Sequence, residues 1–362
     1  MPDSGEIPQE RRSPMIRRMG IYLLFAVAVL AAGGCVRRPL VDIENTHYVR
    51  VYLDEQLLNV TTGFYDESRR KPEYKRPDIM RVALFDPVTG TVVSERYLRG
   101  RGSDERGCYC DGYIAAEPGE YRLLTYNFGT ESTILRSEND YTGVEAYTNG
   151  IAAHLYNMLP SRAERKADER IVYMPDHLFV DSGERIRIPY TSHVDTLRNE
   201  RGERFFTACS MVKSYYMQIR VKGMQYVSTA VSLLTGMAGS ASLHDRSTHT
   251  YNPATLYFEM QRSDENIARD DDTTIIYTTF HTFGKLPDTE NSLEVSFDFI
   301  TSDGRALSAT IDITDKFSEP DAIEHQWILL DQILEIPEPP QGGGGFTPGV
   351  DDWGDINTDI II

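Results

Sequence analysis

The fold class this sequence predicts is all-β, arranged as two tandem antiparallel β-sandwiches with few helices, and three observations carry that reading. Apolar residues recur at every second position in segment after segment, the period of a strand with one buried face. The same segments are dominated by Tyr, Thr, Val, Ile and Phe, which suit a pleated, half-buried surface. Turn signals such as Asp303-Gly304 separate them at the short intervals of sandwich folds.

The chain begins differently. Met15-Ile16-Arg17-Arg18-Met19 is basic and free of acids, Ile21–Leu30 is apolar, and Ala31-Ala32-Gly33-Gly34 offers only small side chains. These are the three parts of an export signal. The apolar stretch is shorter than the ~20 residues a membrane-spanning helix needs. Cys35 stands directly after the small residues. An ordinary cleaved signal uses no cysteine there, whereas this order resembles the bacterial lipobox, in which the thiol is acylated and becomes the mature N-terminus. Residues 1–34 are therefore expected to be a signal peptide and Cys35 the lipidation site, with an incidental cysteine after an ordinary signal as the alternative. Residues 1–14 carry acids and prolines that no signal needs, which points to a start at Met15 or Met19. One acyl chain anchors weakly and several anchor stably, so a multiply acylated Cys35 would hold the chain on a membrane.

The strands follow in order. YVRVYL sets Val49, Val51 and Leu53 against Arg50 and Asp54, and IMRVALFDPVTGTVVSERYL is expected to form a hairpin turning at Pro87-Val88-Thr89-Gly90. Pro118-Gly119 fits a type II turn delivering EYRLLTYN, with glycine supplying the positive φ. One helix is expected around Gly150–Leu159, ended by Pro160, with a charged loop or short turn after it. Farther on, YMQIRVKGM places Met217, Ile219 and Val221 opposite Gln218, Arg220 and Lys222. Gly236 and Gly239 interrupt an apolar run, as a bulge or tight bend would. LEVSFDFI sets Leu293, Val295, Phe297 and Phe299 inward, with Glu294, Ser296 and Asp298 on the wet face. LSATIDI repeats the pattern with Leu307, Ala309, Ile311 and Ile313, and Asp303-Gly304 makes the hairpin between the two.

The boundary between the sandwiches is expected near Asp181-Ser182-Gly183, giving an N-terminal sandwich over 35–182 and a C-terminal one over 183–336. A Pro-rich then Gly-rich linker, PEPPQGGGG, covers 337–345. Residues 346–362 end in a strand pattern with Ile356, Thr358, Ile360 and Ile362 on one face. That strand either closes its own sheet or adds to a neighbour's, since a bare apolar edge invites pairing.

The formal net charge of −18 is the wrong sign for a nucleic-acid partner. Besides Cys35 there are only Cys108, Cys110 and Cys209, too few for a disulfide-stapled scaffold. A C-x-C pair on a strand is strained as a direct bridge, and a link from either residue to Cys209 stays open. Eight histidines include none in a metal-ligand spacing, Asp270-Asp271-Asp272 lacks the alternating oxygens and glycine of a calcium loop, and no nucleophile elbow is present. No cofactor and no enzymatic role are expected.

Several stretches together resemble the fimbrillin-like lipoproteins of Bacteroidia, in particular the minor, membrane-anchoring fimbrial subunits. They are the lipobox at Cys35, EPGEYRLLTYNFG (117–129), MPDHLFV (174–180), VSTAVSLLTGMAGSASL (227–243), TTFHTFG (278–284) and WILLDQILEIPEP (327–339). The resemblance implies two transthyretin-like sandwiches in tandem and assembly by passing a strand into a groove of the next subunit. It further implies other fimbrial subunits and outer-membrane lipid as partners, and a cell-surface location. The alternative reading is a surface carbohydrate-binding lipoprotein beside a glycan importer, which a cluster of exposed aromatics would favour.

Overall fold

A computed structural model describes residues 45–55, 76–128, 130–163, 168–263, 273–287 and 292–340. The leader with Cys35, the Asp270–Asp272 run and the tail from 341 onward lie outside these residues. The described strands are β1 (Thr46–Asp54), β2 (Ile79–Phe85), β3 (Val92–Leu98), β4 (Gly100–Asp104), β5 (Gly107–Ala115), β6 (Gly119–Phe128), β7 (Thr133–Arg136), β8 (Glu145–Thr148), β9 (Arg170–Tyr173) and β10 (Phe179–Ile188). After them come β11 (Asp195–Thr196), β12 (Phe206–Ser210), β13 (Lys213–Lys222), β14 (Val227–Ala238), β15 (Ser240–Ser242), β16 (Pro253–Glu259), β17 (Gln261–Arg262), β18 (Thr273–Thr282), β19 (Glu294–Thr301), β20 (Ala306–Asp312) and β21 (Trp327–Glu335). Two short helices, α1 (Ala153–Met158) and α2 (Pro320–Glu324), complete the elements named here. The all-β expectation holds, and α1 lies where the sequence placed a helix.

The first sheet runs β3-β2-β6-β10-β12-β1-β5-β4, with β11 beside β1. Its two ends meet, because the chain passes from β3 to β4 through Arg99 alone. Ser94 Oγ donates to the Ala115 carbonyl at 2.6 Å across the seam. Gly112 packs so near Leu98 that a Cβ on it would lie 3.0 Å from Leu98 Cδ2. The sheet thus curls around one core of Val49, Val51, Val82, Leu84, Leu98, Leu123 and Phe206. The β2–β3 hairpin turns as expected, with Gly90 at φ 72° and Asp86 accepting the Val88 and Thr89 amides. Gly119 differs from expectation. It has no positive φ and opens β6 opposite Ile188. Its missing side chain instead lets the Tyr121 hydroxyl pass close by to reach the Glu117 carbonyl at 2.9 Å.

The second sandwich stacks β17-β18-β13-β21 on β20-β19-β14-β16-β9. Met217, Ile219, Val221, Val295, Phe297, Phe299, Leu307 and Ile311 fill the space between them, as the alternation required. Asp303-Gly304 forms the β19–β20 turn, with Gly304 at φ 85°. Gly236, at φ 75°, sits in a bulge of β14 between Leu234 and Met237.

The chain path corrects the consecutive division at residues 182 and 183. β10 runs through that point, kinked by a bulge between Ser182 and Arg185, and β12 still belongs to the first sheet. The passage to the second sandwich comes between Ser210 and Lys213. Two earlier segments also cross over. β8 pairs with β15, Ala146 opposite Ala241, in a small sheet with β7 that packs on the outer face of β2, β6 and β10. β9 pairs in parallel with β16 at the edge of the second sandwich.

Between β8 and β9 the chain forms a strap over the outer face of β14, β16 and β19. Leu155, Tyr156 and Leu159 pack there against Val231, Leu233 and Tyr257. Two buried carboxylates fasten it. Asp298 on β19 accepts the Ser161 amide at 3.2 Å, the Ser161 hydroxyl at 2.9 Å and the Ser308 hydroxyl at 2.8 Å. Glu169 accepts the Gly236 amide at 2.9 Å and the Thr255 hydroxyl at 2.6 Å. The face of LEVSFDFI expected to be wet is therefore covered, with Ser296 and Asp298 both buried.

Cys108, Cys110 and Cys209 are free thiols. Cys110 lies opposite Val51 in the core, whereas Cys209 lies opposite Asp54 and is linked to its carboxylate at 3.7 Å. The C-x-C pair and Cys209 thus face opposite sides of one sheet, which rules out the bridge left open by the sequence. Burial pushes the Cys110 thiol up to about 11.

The sandwiches meet around His177, just before β10, and His281 on β18, whose rings lie 4.4 Å apart. Ser214 Oγ hydrogen-bonds His281 Nδ1 at 2.8 Å, and Asn127 grips the segment through the His177 carbonyl and the Phe179 amide. Asp176 turns its carboxylate to the amides of Glu131, Ser132 and Thr133. Burial, and then the neighbouring His177, depress His281 to about 3, with Asp176 opposing weakly.

Two outcomes are expected. Asp298→Ala leaves two donors of the strap and the Ser308 hydroxyl of β20 without their acceptor and should destabilise the protein by about 2–4 kcal/mol in urea unfolding, with a smaller loss for Asp298→Asn. His281 stays neutral in the folded chain while the unfolded chain takes up a proton below the ordinary value of 6.5. Stability should accordingly fall on acidification from that value towards about 3, by up to about 1.4 kcal/mol per pH unit. A His281→Gln variant should show a flatter loss in thermal melts taken across this range.

Candidate functional site

The lipidation site expected at Cys35 and the tail strand both lie outside the described residues. Among the described residues, no group of three or more His, Cys, Asp or Glu side chains is placed to hold a metal ion. Two polar-aromatic constellations stand out on the first sheet.

One lies on the outer face of β1, β5 and β4. Alternation along β1 brings Tyr48, Arg50 and Tyr52 to the side opposite Val49 and Val51. The register places Tyr109, Asp111 and Tyr113 beside them. The Arg50 guanidinium stacks 3.9 Å from the Tyr109 ring centroid and donates to the Tyr48 hydroxyl at 2.9 Å. It also faces Asp104 at 3.4 Å and Asp111 at 3.6 Å. Tyr52 donates to Asp104 at 2.7 Å, and Tyr48 donates to Asp111. The hydrogen bonds that Arg50 donates to the Tyr52 and Tyr48 hydroxyls hold it well above the usual arginine range against the cost of burial. β4 fits underneath because it carries glycine where larger residues would collide. A Cβ on Gly100 would fall 2.0 Å from Asp111 Oδ1, and one on Gly102 2.3 Å from the Tyr109 hydroxyl. The donors and acceptors of this patch satisfy one another, and only Tyr113 presents an exposed ring.

The other is a cleft of about 520 Å³ where the outer face of β3, β2 and β6 meets the loop after β7. Tyr97, Arg81 and Tyr126 stand in one cross-strand row. The buried Arg81 guanidinium forms the floor. It pairs with Glu95 and the Tyr126 hydroxyl, and bonds Glu138 Oε2 at 2.9 Å. Tyr126 donates to the same Glu138 oxygen. Burial works against the charge on Arg81, but Glu95, Tyr126 and Glu138 together hold it well above the usual range. Burial, reinforced by Glu138, raises the Tyr126 hydroxyl strongly. The far wall is Ser137–Asp140, with Ser137 in the left-handed region at φ 55°. Tyr97 lines the cleft and meets Phe128 edge to face at 5.2 Å, both rings being substantially exposed.

Sequence reading did not find this cleft. Arg81, Glu95 and Tyr97 are visible as polar positions in a recognised hairpin, but the register that aligns them and the arrival of Glu138 depend on the fold.

The chain is similar to known proteins along most of its length. It is 26% identical over 374 aligned positions to a Bacteroides ovatus protein named "Putative fimbrium anchoring subunit Fim4B", covering 92% of this chain and 95% of that one. Its fold matches a crystal structure described as "a putative adhesin" from Bacteroides ovatus, with a TM-score of 0.51 at 22% identity, over 85% of this chain and 99% of that one. The model of the family described as "Domain of unknown function (DUF5119)" matches residues 68–259. That span takes in the first sheet apart from β1, the strap and the second sandwich as far as β16, more than half of the sequence, and the chain belongs to this family.

Proposed function

We propose that this protein is a lipid-anchored structural subunit of a cell-surface fimbria, built from two transthyretin-like sandwiches and assembled through β-strand addition. The observation that carries the reading is the nearly end-to-end similarity to a protein named as a fimbrium anchoring subunit, joined to a leader that ends in a lipobox-like cysteine. A fibre needs a member that stops growth and holds the outer membrane, and an acylated Cys35 supplies that attachment. In strand addition, main-chain hydrogen bonds give affinity and alternate side chains fill pockets. The second sandwich supports that role, because β20 and β21 stand at the ends of its two sheets, and the chain leaves β21 for a Pro/Gly linker and a strand-patterned tail. The partners are other fimbrial subunits and the lipid of the outer membrane.

Two experiments test this. Cys35→Ser should move the protein from the membrane fraction to the soluble fraction of the cell envelope; retention in the membrane would refute lipid anchoring. Deleting residues 346–362 should reduce co-purification with other fimbrial subunits while leaving the melting temperature of the body unchanged. Normal assembly with a lowered melting temperature would mean that the tail completes its own sheet.

A further inference from the structure

We infer that the cleft floored by Arg81 is a binding site for a neutral saccharide, of the size of one or two sugar rings. Its volume of about 520 Å³ is within the range of small-molecule sites. Its chemistry is that of a surface that must recognise hydroxyl groups, each of which both donates and accepts.

Acceptors and donors alternate around the cleft. Glu95 and Glu138 each spend Oε2 on the Arg81 and Tyr126 network. Among the described residues, Oε1 of each carries no protein hydrogen bond. Each carboxylate is therefore held in place by one oxygen and presents the other. The Asn139 amide supplies both functions at the wall. Tyr97 lines the cleft with a substantially exposed ring of the kind that packs against the C–H face of a pyranose, and Phe128 braces it edge to face at 5.2 Å.

Preorganisation distinguishes this cleft from a chance group of surface acids. Arg81 is buried and held by three partners, so its neighbours do not need to reorganise on binding. The wall is equally fixed. Asp140 accepts the Thr142 amide and hydroxyl at 3.1 Å, and its own amide donates to the Ser137 carbonyl at 3.0 Å. Charge selects among ligands. Glu95, Glu138 and Asp140 outnumber Arg81, which disfavours acidic sugars, and the floor guanidinium is already paired with Glu95 and Glu138. A neutral polyol donates its hydroxyls to the two presented carboxylate oxygens, and the lysine-containing peptide is the competitor that the net negative charge would otherwise favour.

The test uses the full chain and saturation-transfer difference NMR with a panel of neutral gluco-, galacto- and manno-configured disaccharides, a uronic acid disaccharide and a lysine-containing peptide. At least one neutral disaccharide should bind with a Kd on the order of 1 mM or tighter. The uronic acid should not compete. Tyr97→Ala, at a partly exposed position, should weaken binding by about tenfold, as loss of an aromatic platform does. Asn139→Ala, at an exposed position of the wall, should weaken it while leaving the melting temperature near that of the parent, which separates binding from folding. The inference is overturned if no neutral disaccharide binds, if binding survives both substitutions unchanged, or if only the peptide binds. None of these readouts involves membrane attachment or subunit assembly, so the result stands apart from the fimbrial proposal.

Discussion

Two carboxylates buried on the outer face of one sheet set the architecture of this molecule. Glu169 and Asp298 are almost fully removed from water, and each is surrounded by donors from a different part of the chain. A buried ionised group is costly unless it is fully hydrogen-bonded. The two sites are satisfied only when the strap lies across β14, β16 and β19. Their placement therefore rewards one arrangement of the strap and penalises all others. Glu169 also receives the amide that the Gly236 bulge turns out of β14, so the irregularity in the strand and the acid that answers it form one unit.

The strap joins what would otherwise be two consecutive sandwiches. β8 crosses to β15 and β9 to β16, so the first half of the chain contributes strands on both sides of the junction. Pulling the halves apart would break main-chain pairing at both places, uncover the apolar layer of Val144, Ala146, Met211, Val212, Ala241 and Leu243, and expose His281 to protonation. The junction is thus held by backbone, packing and an imidazole pair together, in a way that suits a chain proposed to bear load between a membrane and a fibre.

Much of this was legible from alternation. Wherever one strand face is apolar and the other polar, as in YVRVYL and LSATIDI, the inward residues were readable, because a one-residue slip would invert the strand. Turns with an obligatory left-handed glycine, at Gly90 and Gly304, were readable for the same local reason. The failures share a cause. Asp298 and Ser296 look like solvent positions because nothing in a strand reveals what another segment lays over it. The boundary at Gly183 looked like a linker because a bulge and a hinge use the same residues. Arg81 and Glu138 are remote in sequence, and their meeting depends on where the fold lays the loop after β7. Gly119 was chosen for what passes beside it, which no turn table records.

The strand that becomes β4 without leaving β3 has a consequence for how this molecule meets others. β3 and β4 are the two ends of that sheet's order, so each leaves one side of its backbone without a ladder partner among the described strands. What closes the seam between them is the Ser94 hydroxyl on the Ala115 carbonyl and the packing of Leu98 on Gly112, side-chain contacts that leave the main chain of the rim unspent. Open-ended order is thus common to the first sheet, at β3 and β4, and to the second sandwich, at β20 and β21.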